Sequence, residues 1–186
     1  MAFALTTSSP AYATTWPSIG DRVSLEHLWA GWRTEYIETT AGSTDGCVFC
    51  RILSSGDSDE ALYVVRRESD CLAILNVYPY TSGHMMVMPT RHVAELEDVT
   101  PEEAADVWAL LADSVRALKN AYSPQGMNVG INLGRVAGAG IPGHFHLHVL
   151  PRWDGDTNFM TTVAEARILP EALSATYERI KKAWPT

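Results

Sequence analysis

The sequence predicts an α+β protein in which a five-stranded antiparallel sheet is covered by helices. Three observations carry that expectation. Short runs rich in apolar and β-branched residues recur three times, and twice more after a long amphipathic segment, giving the order β-β-β-α-β-β with a closing helix. The long segment opens on Thr100-Pro101-Glu102-Glu103, in which Thr100 can cap, Pro101 suits the first turn and Glu103 completes a capping box. Residues 144–148 alternate histidine with apolar side chains, which is the period of a strand with two unlike faces.

Taken in order, the first twenty residues lack Lys and Arg and read as an arm or oligomer contact rather than a secretory signal. Ser24 can cap a helix that places Leu25, Leu28, Trp32 and Tyr36 on one face. A polar stretch from Thr39 to Gly46 follows, so the expected division is an N-terminal arm and helix over 1–46 and a core domain over 47–186. Strands are expected at Leu62–Arg66, Cys71–Val77 and His84–Met88. The long helix carries Ala104, Trp108, Leu111, Val115, Leu118 and Tyr122 at alternating spacings of four and three, which predicts its core face. Strands at Met127–Leu133 and His144–Leu150 flank the glycine-rich segment Gly134–Gly143, and Pro170 is expected to start a last helix ending near Trp184.

The bulk numbers narrow the function. The 186-residue chain is 46% hydrophobic and 19% charged, enough for one domain with a real core. Its formal charge of −8 argues against nucleic acid or an anionic membrane as a partner, and no segment has the length of an apolar span. Three cysteines cannot all pair. Cys47 and Cys50 form a close C-x-x-C pair and Cys71 sits in an apolar strand, a pattern that suits a reducing, cytoplasmic setting.

His144, His146 and His148 share one strand face, with Phe145, Leu147 and Val149 on the other. A metal-binding or merely polar strand face is the plain alternative. The preceding glycine-rich segment favours phosphate chemistry, because glycine lets backbone N–H groups turn toward an anion. A neutral imidazole can attack phosphorus, and a neighbouring one can donate a proton or a hydrogen bond.

The segment His144-Phe145-His146-Leu147-His148-Val149-Leu150 resembles the histidine-triad motif of nucleotide hydrolases and transferases. Further segments are similar to the bacterial diadenosine tetraphosphate phosphorylase (ATP adenylyltransferase)-like branch of that superfamily. They are Leu75–Tyr80 with Gly83-His84, Pro89–His92, Asn128–Gly134, Ala137–Gly140, and Pro151-Arg152-Trp153 with Gly155–Met160. The resemblance implies a HIT-like fold, a homodimer or tetramer, and action on dinucleoside polyphosphates with inorganic phosphate as acceptor. It assigns His146 as the nucleophile that forms a nucleotidyl-histidine and His148 as the α-phosphate contact. Asn76 falls at the ribose position, Asn132 beside the α-phosphate, and Gly138, Ala139 and Gly140 where a loop wraps the phosphate chain. Related hydrolases and phosphoramidases carry a Gln four residues before the first histidine, where this chain has Gly140. That departure leans toward phosphorolysis. Hydrolysis, transfer to another acceptor, and nucleotide binding without efficient catalysis are the alternatives.

The Cys47/Cys50 spacing suits tetrahedral zinc, with a redox pair as the rival. The resemblance supplies the other two ligands, His92 and His144, and so implies a closed, structural zinc. His84 is expected as a hydrogen-bonded histidine near the site, and Cys71 as core. Arg91 and Arg152 are candidates for phosphate contacts or for a solvated surface.

Overall fold

The computed structural model describes residues 46–156 and 171–185. The expected N-terminal helix from Ser24, the motif residues Thr157 to Met160, and Pro170 lie outside them. Three helices and five strands are described: α1 (Val48–Ser54), β1 (Val64–Arg67), β2 (Cys71–Leu75), β3 (Met85–Pro89), α2 (Pro101–Tyr122), β4 (Gly126–Ile131), β5 (Leu147–Arg152) and α3 (Leu173–Ala183). The strands form one antiparallel sheet in the order β1-β2-β3-β5-β4, as the α+β expectation required.

Both faces of the sheet's centre are covered, so the central strands are apolar throughout. The period of two still decides which side chain goes where. On one face Cys71, Ala73, Leu75, Met85, Val87 and Val149 pack under α2 and α3. On the other, Leu72, Ile74, Met86 and Met88 pack with Phe49 of α1. A one-residue slip of β2 against β3 would exchange the two sets, so the pairing Ala73↔Val87 is strongly specified.

Helix α2 starts as the sequence predicts. Thr100 accepts from Glu103 N, the Glu103 carboxylate accepts from Thr100 N, and Pro101 occupies the first turn. Its core face differs from the expected stripe. Val107, Leu110, Leu111, Ser114, Ala117 and Leu118 are buried, whereas Trp108 is 68% exposed. Alanines sit at positions 104, 105, 109 and 112, so a count of apolar residues cannot place the stripe on its own. Tertiary packing against the sheet rotates it by about one residue.

Two further boundaries shift for backbone reasons. Strand β5 enters the ladder at Leu147 rather than His144. Extending the β3 register puts Pro89 opposite Phe145, and proline has no N–H to continue the ladder. Phe145 N instead donates to Val93 O at 2.6 Å. The last helix begins at Leu173, without a side-chain cap on Ala172. Among the described residues no helix is long and apolar enough to cross a membrane.

Candidate functional site

The first cluster joins the C-x-x-C pair to two histidines. Cys47 is the N-cap of α1 and Cys50 lies one turn in, so both thiols leave the same end of the helix. The C-terminal end of β3 leads to His92, and His144 arrives from the segment before β5. Cys47 Sγ is 3.4 Å and Cys50 Sγ 3.7 Å from His144 Nδ1, and Cys50 Sγ is 3.2 Å from His92 Nδ1. All four donor atoms lie within 4.8 Å of one another.

A tetrahedral zinc with bonds of about 2.3 Å to sulfur and about 2.0 Å to nitrogen spaces its ligands by roughly 3.5 Å, so the set fits. The hydrogen-bond pattern also fits. His144 Nε2 lies 2.9 Å from Pro89 O, and a carbonyl only accepts, so the proton is on Nε2 and the Nδ1 lone pair faces the thiols. Burial holds His144 below the ordinary histidine range against the opposing effect of that bond, which keeps the ring neutral. Burial, then Cys47, pushes the Cys50 thiol up, and a bound cation would favour its thiolate.

His146 has the complementary arrangement. Its Nδ1 lies 2.7 Å from His144 O, so Nδ1 carries the proton and Nε2 keeps a lone pair. The ring is 4% exposed, and burial pushes its imidazolium below the ordinary range, partly offset by the carbonyl bond. Phe49 meets His144 and His146 edge-on, at 5.4 and 5.3 Å between ring centres, and fixes both ring planes.

His148 is oriented by a residue that the sequence marked only as structural. Tyr80 N donates to His84 Nδ1 at 3.1 Å, and the Asn76 amide reaches the same atom at 3.3 Å. Asn76 cannot be flipped there, because its Oδ1 accepts from Tyr78 N at 2.9 Å. His84 therefore accepts at Nδ1 and donates from Nε2 to His148 Nδ1, 2.9 Å away. That leaves His148 with its proton on Nε2. Gly83 brings His84 into place: its φ is +79°, and a Cβ there would stand 3.0 Å from Leu118 and 3.1 Å from Tyr122.

A cavity of about 300 Å³ opens beside these rings. His146 and His148 line it with Asn76, Gly138 and Gly140, so five of the predicted site residues meet at one cavity. The rest of its lining is largely apolar, with Val48, Phe49 and Ile52 of α1 and with Leu62, Ile74 and Met86, of which Met86 pairs across the sheet with His148. Asn132 and Ala139 take supporting places instead. Asn132 Nδ2 points at Gly138 O at 3.5 Å, and Ala139 is 2% exposed with its N–H on Gly134 O at 3.2 Å. Gly138 turns the loop with φ +95°. Arg91 and Arg152 are engaged elsewhere, Arg91 by Glu103 at 2.7 Å and Arg152 by Asp156 and Asn128.

The sequence reading missed the cavity's α1 wall. Its signal was the apolar set Val48, Phe49 and Ile52 between and after the cysteines, at helical spacing but in a run too short to declare itself.

Comparison with known proteins agrees with this arrangement. A model of the HIT domain matches residues 60–155. The chain is 38% identical over 173 residues to AP-4-A phosphorylase of Mycobacterium tuberculosis, covering 89% of this chain and 88% of that one. Among solved structures, it resembles a zinc-bound histidine triad family protein of Mycobacterium smegmatis at 30% identity and a TM-score of 0.61, over 76% of this chain and 94% of that one. A HIT family protein of Bacillus anthracis aligns at 32% identity and a TM-score of 0.54, over 60% of this chain and 76% of that one. With the family's motif leading into β5, its fold around that strand and a relative this similar along nearly the whole length, the chain belongs to the histidine-triad (HIT) domain family.

Proposed function

We propose that this protein is a dinucleoside polyphosphate phosphorylase working through a nucleotidyl-His146 intermediate. The observation that carries the reading is the tautomer pair. His146 presents a lone pair at Nε2 while its neighbour His148 presents a proton at Nε2, beside one cavity. The first atom is a nucleophile, and the second is a donor for the phosphate or its leaving group. The similarity to AP-4-A phosphorylase of Mycobacterium tuberculosis supports the substrate class.

In the first step His146 Nε2 attacks the α-phosphorus. A P–N bond forms and the bridging P–O bond breaks, releasing a nucleoside polyphosphate. The base lies against the apolar residues of α1, the ribose faces Asn76, and Gly138 and Gly140 let the phosphate approach the loop without a side chain in the way. In the second step an oxygen of inorganic phosphate attacks the same phosphorus. The P–N bond breaks, a nucleoside diphosphate leaves, and His146 returns to its starting state. Gly140, where related hydrolases carry an amide, leaves the acceptor side of the cavity open.

Cys47, Cys50, His92 and His144 would hold a structural zinc with no open position, fixing the strand that carries His146. The protein acts as a homodimer or a pair of dimers. Among the described residues strand β4 is an edge of the sheet, and Val129 and Ile131 along it and Leu133 and Val136 beyond it are exposed.

The deciding experiment incubates the protein with diadenosine tetraphosphate, with and without inorganic phosphate. ADP that appears only with phosphate is the expected product. AMP and ATP released equally well without phosphate would replace the phosphorylase reading with hydrolysis.

A further inference from the structure

On the reading above the cavity takes a base, a ribose and one phosphate, but among the described residues that line it there is no Lys or Arg. The reading above requires a chain of several phosphates, each still negative at neutral pH, to be held by a protein of net charge −8. Gly138 and Gly140 of the glycine loop line the cavity together with His146 and His148, so on that reading the phosphates beyond the α-phosphate run along the loop.

That loop carries one basic residue, Arg135, the first residue of the 3-10 turn Arg135–Ala137. Arg135 O accepts from Gly138 N at 2.9 Å, and Gly134 and Gly138 on either side take φ of +76° and +95°, so the turn is closed on itself. The side chain thus stands one tight turn from cavity-lining Gly138. It is exposed, and among the described residues no carboxylate pairs with it, whereas Arg67, Arg91 and Arg152 are held by Asp59, Glu103 and Asp156. An uncommitted guanidinium can take a phosphate by a two-pronged hydrogen bond at no cost in broken ion pairs.

We propose that Arg135 binds the phosphates beyond the α-phosphate and so sets a preference for long phosphate chains. This rests on the dinucleoside polyphosphate reading and adds a specificity residue to it. The effect of Arg135 grows with the number of phosphates and vanishes for a nucleoside monophosphate. Arg135 does not touch the reacting atoms.

The test is a set of dissociation constants in the His146→Ala protein, where no turnover interferes. The ligands are AMP and the diadenosine di-, tri- and tetraphosphates. Wild-type Arg135 should bind tighter as the chain lengthens. Arg135→Gln should weaken the tetraphosphate about tenfold, shift AMP by less than about twofold, and flatten the series. Arg135→Lys should recover much of the loss, and Lys182→Gln, the same charge change on α3, should leave the series unaltered. Equal weakening of all four ligands, no weakening of any, or the same result from Lys182→Gln overturns the proposal. Failure of the unmodified protein to bind AMP would instead overturn the nucleotide reading. Normal AMP binding with a series indifferent to Arg135 refutes Arg135 alone.

Discussion

The two faces of the sheet are built from the same strands yet serve opposite ends. Under α2 and α3, alternate residues of β2, β3 and β5 join a continuous core with Val107, Leu110, Leu118 and Ile180. On the other face, among the described residues, a seven-residue helix is the cover, the apolar cluster is smaller, and a cavity of about 300 Å³ remains beside His146 and His148. One face gains its free energy from apolar area removed from water. The other keeps buried imidazoles, each fixed by a hydrogen bond, and room for a ligand. A site of this kind is stable because its neighbour face carries the burial.

Variants on each face can break or sharpen that contrast. The largest effect is expected from His146→Ala, which should lower turnover by a factor on the order of 10³ or more while leaving the circular dichroism spectrum unchanged. Retained turnover would remove the nucleophile from the histidine face.

Metal removal comes next. Zinc should be present at one ion per chain, and Cys50→Ser or a strong chelator should lower the melting temperature by roughly 10 °C or more. Turnover should fall with it, since His144 joins the cluster to the catalytic strand. A metal-free protein of unchanged melting temperature would leave the cysteines without the structural part assigned to them.

On the covered face, Leu118→Ala should cost about 2–5 kcal/mol in urea unfolding, because Leu118 is fully buried and its loss opens a cavity. The affinity for AMP should move little at temperatures where the protein stays folded. A large change in affinity would mean that the two faces are coupled more tightly than their packing implies.

The smallest effects belong to the start of α2. Thr100→Ala should cost about 0.5–2 kcal/mol through loss of the cap. The Arg91 hydrogen bond and the Thr100 backbone N–H hold the Glu103 carboxyl down at about 2, against an ordinary value of 4.5. A depressed carboxyl contributes stability above its unfolded value and loses it as pH falls through the folded one. A small loss of stability between about pH 4.5 and 2 is therefore expected, reduced in Glu103→Gln, as acid titration followed by circular dichroism can measure.

The capping box of α2 was legible because all its parts lie within four residues. The two faces of 144–149 were legible because strand alternation is local, and it holds even where the ladder has not yet begun: Phe145, Leu147 and Val149 join the main core while the histidines line the other side. Trp108 was misplaced because a helix surrounded by alanine carries no phase of its own. His84 was recognised only as a bonded histidine, since its part depends on His148, sixty-four residues away in the chain.

By itself, then, the sequence determined the element order, the helix start and the alternation at the histidines, which follow from local periodicity and turn chemistry. The ligands His92 and His144 and the roles of the catalytic candidates came instead from the resemblance of its motifs to a family. Tertiary structure decided which nitrogen of each histidine carries the proton, because that is set by carbonyls and imidazoles brought from elsewhere: Pro89 for His144 and His84 for His148. It also decided that β5 joins the ladder only at Leu147, since Pro89 opposite Phe145 has no N–H to offer. The triad could be read along the chain, and the family resemblance gave its three rings different expected jobs, but the proton position on each ring required the fold.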